Sequence, residues 1–140
     1  MGRVHKFLAL PSARRRLLLA SVALIATVRI LLWVLPFDWV RKLLDHAARR
    51  SRGIVARDAV EAVSWAIEVA SHLIPQGTHC LTMALVAQTL LRRRGRPATL
   101  HFGVPRQPGI PFIAHAWVMS DGVIVSGGPD VHRKYIELAP

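Results

Sequence analysis

The stretch Cys80-Leu-Thr-Met-Ala-Leu-Val-Ala-Gln-Thr-Leu-Leu-Arg-Arg-Arg-Gly95 limits what this chain can become, because it joins a helical pattern to the only cysteine. Leu81, Leu85, Val86, Thr89 and Leu90 recur at helical spacing and predict a helix that buries one face. Gly95 and Pro97 supply the stop, and Arg92, Arg93 and Arg94 put positive charge where a helix C-terminus favours it. Pro75, Gly77 and Thr78 read as a loop just upstream, which places Cys80 in the first turn, pointing inward. Unpaired N–H groups and the helix dipole favour a thiolate there, and the same groups suit an oxyanion on a bound carbonyl. Alone, such a cysteine is more often a small buried hydrophobe.

The run Pro111-Phe-Ile-Ala-His-Ala-Trp-Val-Met119 changes that balance. It places His115 inside an apolar, β-prone segment, and Asp121-Gly122 then leads into Val123-Ile-Val-Ser126. Asp-Gly between two such runs predicts a hairpin with a two-residue turn, in which Ser120 pairs with Val123 and His115 falls opposite Gly128. A helix that begins with Cys, followed by a strand that carries His, is the arrangement of papain-like and transglutaminase-like folds. Trp117, two residues on and on the same face, is placed to cover the imidazole. His101, in the alternating stretch 98–104, is the rival base.

The rest of the chain surrounds this pair with helices. Residues 1–10 form a short basic lead-in, and Pro11-Ser-Ala-Arg14 reads as a helix start with Ser12 as its N-cap. Residues 17–35 are apolar over about 20 positions, the length of a membrane span. Arg29 interrupts them, and a charge near a bilayer centre costs ~2.5–3.5 kcal/mol. No small-residue cleavage site follows, so the segment reads as a helix packed on the core or lying on a membrane surface. Residues 37–48 continue as an amphipathic helix with Trp39, Val40, Leu43 and Leu44 on one side, and residues 54–73 give another helix. His72 near its end reads as a solvent-facing residue, and His79 beside Cys80 as a cleft-lining one, since sequence neighbours on a helix do not face each other. The ending 131–138 has no assignable state. Helices, then the cysteine helix, then antiparallel strands make an α+β fold, divided into a helical segment 1–53 and a papain-like or transglutaminase-like core 54–140.

Cys80-Leu81, the run Leu90-Leu-Arg-Arg-Arg-Gly-Arg-Pro-Ala98 and His115-Ala-Trp-Val118 resemble the transglutaminase-like proteases that mature lasso peptides in bacteria. The likeness extends to Phe7-Leu-Ala-Leu-Pro11, Arg16-Leu-Leu-Leu19 and Leu35-Pro-Phe37. It implies a cysteine peptidase, the protease chain of a split pair. Such a chain cuts the leader from a ribosomally made precursor, a small partner protein grips that leader, and a cyclase closes the ring. Cys80 would be the nucleophile and His115 the base. Members commonly carry an acid at the position of Gly127, so Asp130 is expected to serve as the third catalytic residue, and Gly127→Asp to raise activity.

Nineteen Lys and Arg against eight Asp and Glu give 140 residues a formal charge of +11, which suits an acidic peptide or an anionic membrane surface. Nucleic acid is not expected, because no zinc-finger spacing or aromatic-studded sheet motif accompanies the charge. One cysteine excludes an internal disulfide and a multi-cysteine metal site, and fits a reducing, cytoplasmic setting with peripheral contact at the inner membrane surface. No cofactor is expected, and no G-x-x-x-x-G-K-[ST] loop is present. The chain looks too short to add a leader-binding domain, so a partner is implied. Two other functions fit the residues alone: a non-catalytic basic adaptor at a membrane, and a transglutaminase-type acyl transferase.

Overall fold

Small and apolar side chains let the cysteine helix be enclosed from several sides. The computed structural model describes residues 2–49, 58–73, 80–109, 114–127 and 130–138. In it five helices, α1 (Gly2–Leu8), α2 (Ser12–Val34), α3 (Phe37–Arg49), α4 (Ala59–Leu73) and α5 (Cys80–Arg93), precede the strands β1 (Thr99–Pro105), β2 (His115–Ser120) and β3 (Val123–Ser126). A one-turn helix α6 (Val131–Lys134) and the strand β4 (Tyr135–Glu137) follow. The architecture is α+β, as the element pattern predicts. The boundary expected at residue 53 lies outside the described residues.

Helices α2, α3 and α4 and the sheet all pack on α5. Thr82 and every residue from Ala84 to Leu91 are buried, so α5 hides far more than the one face its apolar spacing predicts. The added positions are Thr82, Ala84, Ala87, Gln88 and Leu91, small or apolar except for Gln88, whose Nε2 donates to the Ala98 carbonyl at 3.2 Å, while Thr89 Oγ1 donates to the Leu85 carbonyl at 2.8 Å. Gly95, at φ 75°, ends the helix. The Arg96 N–H returns to the Leu91 carbonyl at 3.0 Å and the Gly95 N–H to Arg92 at 3.1 Å, which is a Schellman closure. Arg92 then reaches Asp45 of α3 at 2.7 Å and fixes the far end of α5.

The sheet is antiparallel, in the order β3-β2-β1-β4. Alternation sends Leu100, Phe102, Ala116 and Val118 to the helices, and leaves His101, Gly103, His115 and Trp117 on the other face. Asp121 and Gly122 both have positive φ, 51° and 78°, the signature of the two-residue turn read from Asp-Gly, and Ser120 pairs with Val123. The regular hairpin then breaks. Met119 faces Ile124 but Val118 faces Ser126, so Val125 is an extra residue in a β-bulge. The position opposite His115, expected to be Gly128, lies outside the described residues.

Several local expectations are corrected. Residues 2–8 form a helix, and α2 begins at Ser12 with Pro11 in the cap position and no side-chain cap bond. The ending with no assignable state folds as α6 and β4, because Val104 pairs with Ile136 and Pro105 with Tyr135. On α3, Val40 and Leu44 are buried, whereas Trp39 and Leu43 face solvent. One continuous core joins Leu17, Leu18, Ile25 and Val28 of α2 to α3, α4, α5 and the sheet.

That packing sets an expectation for α2. Ile25 is fully buried and Ile30 is exposed. Ile25→Ala is expected to cost about 2–5 kcal/mol in urea unfolding and Ile30→Ala no more than about 0.5 kcal/mol. Equal losses would mean that α2 does not pack as described.

Candidate active site

Cys80 opens α5, where the first N–H groups of a helix have no partner within it and the positive end of the dipole lies. Its side chain is half-buried, and Sγ lies 4.0 Å from the carbonyl oxygen of Ala114. Ala114 immediately precedes His115, the first residue of β2. The thiol and the imidazole, 35 residues apart in sequence, therefore line one cleft of about 510 Å³. One wall of that cleft is α4, with Ser64, Glu68 and Ser71; the other is the end of β3, with Ser126 and Gly127. Ile67, Met83, Ile124 and Val125 complete the lining, so the cleft mixes apolar side chains with hydroxyls and one carboxylate.

His115 Nε2 lies 2.9 Å from the carbonyl oxygen of Gly127. A carbonyl only accepts, so Nε2 is the donor in this contact, and in the neutral ring that leaves the lone pair on Nδ1. The ring is held on its faces as well. Tyr135 stacks on it at 4.6 Å between centroids and 17° between planes, and Trp117 stacks at 6.3 Å and 26°. Trp117 is placed as the sequence suggests, but the closer ring is Tyr135, on a strand the sequence does not reveal.

Trp117 is almost wholly buried, and two glycines make room for it. A Cβ at Gly103 would lie 2.8 Å from its ring, and one at Gly127 would lie 2.4 Å from its Cβ. Gly127 also sits at φ 109°, which side chains rarely adopt. The expectation that an aspartate at 127 would raise activity is therefore corrected: the site has neither the space nor the backbone for it. Two buried polar atoms here, Trp117 Nε1 and Ser126 Oγ, have no hydrogen-bond partner among the described residues.

His101 lies across Trp117 from His115. Its ring stacks on the indole at 5.9 Å, and Nδ1 pairs with Glu137 Oε1. It does not line the cleft that holds Cys80. Asp130 precedes α6 and is exposed; its carbonyl accepts the Arg133 and Lys134 N–H groups, and its carboxylate has no hydrogen bond or ion pair among the described residues. The structure thus places Cys80 and His115 in the lining of one cleft, His101 and Asp130 outside that lining, and a backbone carbonyl at His115 Nε2. His79 lies outside the described residues. Among those described, no three His, Cys, Asp or Glu side chains converge as metal ligands.

Ring stacking of this kind contributes ~0.5–1.5 kcal/mol. Tyr135→Leu is expected to slow iodoacetamide alkylation of Cys80 roughly two- to tenfold at mildly acidic pH, with Tyr135→Phe near the wild-type rate. Equal rates in all three proteins would remove Tyr135 from the site. Gly127→Asp is expected to lose on the order of 2–4 kcal/mol of stability and to gain no reactivity, which urea unfolding and the same alkylation assay would show.

No curated protein and no solved structure gives a significant match. Residues 22–139 match the family model Transglut_core3, described as the transglutaminase-like superfamily, a span that includes the second half of α2 as well as Cys80, His115 and β4. With a cysteine at the head of a helix and a histidine on the adjoining strand, the chain belongs to the transglutaminase-like superfamily.

Proposed function

We propose that this chain is a cysteine peptidase that removes the leader from a ribosomally synthesised lasso-peptide precursor. The observation that carries the reading is that Cys80 and His115 line one cleft, with His115 Nε2 held by the Gly127 carbonyl. The lasso assignment rests on the resemblance of Cys80-Leu81, residues 90–98 and His115-Ala-Trp-Val118 to the proteases of that pathway. In this reading Nδ1 of His115 takes the thiol proton as Cys80 attacks the scissile carbonyl. The oxyanion is met by N–H groups at the start of α5, among them that of Cys80. His115 then gives the proton to the leaving amine, and water, activated by the same imidazole, hydrolyses the acyl-enzyme. No cofactor enters.

The chain works with a small leader-binding protein and hands the freed core to a cyclase, in the cytoplasm. Its net charge of +11 favours an acidic leader, for the same electrostatic reason that it would favour other polyanions. Asp130 stays in the proposal as the third residue, acting from outside the hydrogen bond to His115.

Incubating the purified chain with its precursor, with and without the leader-binding protein, and following the products by mass spectrometry tests all of this. Cys80→Ala and His115→Ala are expected to abolish cleavage while leaving the fold intact, and His101→Ala to retain it. Cleavage by Cys80→Ala would end the peptidase reading, and loss with His101→Ala but not His115→Ala would reassign the base. Asp130→Asn is expected to weaken cleavage less than Cys80→Ala. A loss as complete as that of Cys80→Ala would put its carboxylate in the catalytic machinery. Incorporation of an added amine instead of water would mark an acyl transferase.

A further inference from the structure

From Leu19 to Val34 the side of α2 turned away from the core is apolar, with exposed Arg29 at its edge. Leu17, Leu18, Ser21, Ile25 and Val28 are buried; half a turn round the helix lie Leu19, Ala23, Ala26, Ile30, Trp33 and Val34, all exposed. Trp33 is 94% exposed and Ile30 64%. Beyond the Leu35–Pro36 turn, α3 adds Trp39, 62% exposed, and Leu43, on the same flank as Lys42 and His46. A helix with one side in a core ordinarily shows polar residues on the other, and a continuous apolar stripe is a binding surface.

Helix α2 is long and apolar enough to cross a bilayer. Spanning, however, would pull Ile25 and Val28, both fully buried, out of their packing in the core shared with α4 and α5. It would also remove residues 22–34 from the domain that the family match covers. The stripe is compatible with a helix that lies flat.

We infer that the outward face of α2, with Trp39 and Leu43 of α3, docks on an anionic lipid bilayer, with α2 in the plane of the interface. Charge selects this occupant. Helix α2 carries no acidic residue, exposed Arg14 and Arg16 stand at its start, exposed Lys42 lies between the apolar residues of α3, and the whole chain has a charge of +11. Cations reach the phosphates of anionic headgroups while the aliphatic stripe enters the acyl boundary. Tryptophan is the side chain most at home between the two, and Trp33 and Trp39 flank the corner where the helices meet. The cleft of Cys80, lined by α4, α5, β2 and β3, uses none of these residues, so the inference stands independently of the peptidase reading.

Vesicle flotation of the full chain tests it, with phosphatidylcholine alone and with about one third phosphatidylglycerol. Binding is expected to be about tenfold stronger to the anionic vesicles and to weaken in high salt. Tryptophan fluorescence should shift to the blue and be quenched by brominated lipid. Carbonate washing should release the protein. The double variant Ile30→Ser with Trp33→Ser, outside the core, should keep its thermal transition and lose about nine-tenths of the binding. Arg16→Gln with Lys42→Gln should reduce binding only to the anionic vesicles. Equal binding to both vesicle types, undiminished binding by the apolar variant, or no quenching by brominated lipid would overturn the inference. So would retention after carbonate, which indicates a span, or a complex with the leader-binding protein or a second copy that the apolar variant abolishes while no vesicle binds.

Discussion

Enclosure of α5 is the constraint on which the rest depends. A helix can be hidden on nearly all sides only if its side chains are small or apolar and its few polar groups find partners nearby. Ala84 and Ala87 bring neighbours close, and Thr89 and Gln88 close their own hydrogen bonds. Three helices and a sheet then share one core around it. Cys80 stands at the end of this rigid rod, so the position of its sulfur is set by packing well away from the cleft. Arg92 and the Schellman closure hold the opposite end.

The other half of the site rests on the sheet face turned away from the helices, where Trp117 is the fixed object. It lies between two imidazoles, His101 and His115, and the space it fills exists because residues 103 and 127 are glycines. Each imidazole finds a different second partner: Glu137 for His101, the Gly127 carbonyl and the Tyr135 ring for His115. Chemically similar residues thus end in different environments, and only one of them shares the thiol's cleft.

What the sequence shows, and what it hides, follows from the range of each interaction. The Asp121-Gly122 turn is legible because both residues tolerate the positive φ that this hairpin needs, and Gly95 marks the end of α5 for the same reason. Cys80 and His115 are legible through residue type and the elements around them. Strand β4 is not: three residues, Tyr135-Ile-Glu137, carry too little alternation, and they become a strand only by pairing with β1. Tyr135 was hidden with it. The bulge at Val125 leaves no trace in Val123-Ile-Val-Ser126. On α3 the spacing of Trp39, Val40, Leu43 and Leu44 describes one broad apolar face, yet the packing against α5 buries only Val40 and Leu44. Periodicity shows that residues share a side. It does not show how wide a side the neighbours will cover.

The orienting group for His115 was the least legible part, and the reason is physical. Sequence reading seeks a side chain, a carboxylate at 127 or 130, because side chains are what a sequence spells out. In the structure Trp117 and the bulge put a backbone group beside Nε2. Trp117 occupies the volume that a side chain at 127 would need, and Gly127, free to take φ 109°, brings its carbonyl oxygen to Nε2 instead. A carbonyl and a carboxylate fix the same tautomer, but the carbonyl contributes only part of the charge stabilisation that a carboxylate gives an imidazolium. The N–H groups at the start of α5 stand beside Cys80, fixed by the enclosure of that helix. The cysteine side of the cleft is thus placed by helix packing, and the histidine side by a backbone carbonyl and two aromatic rings.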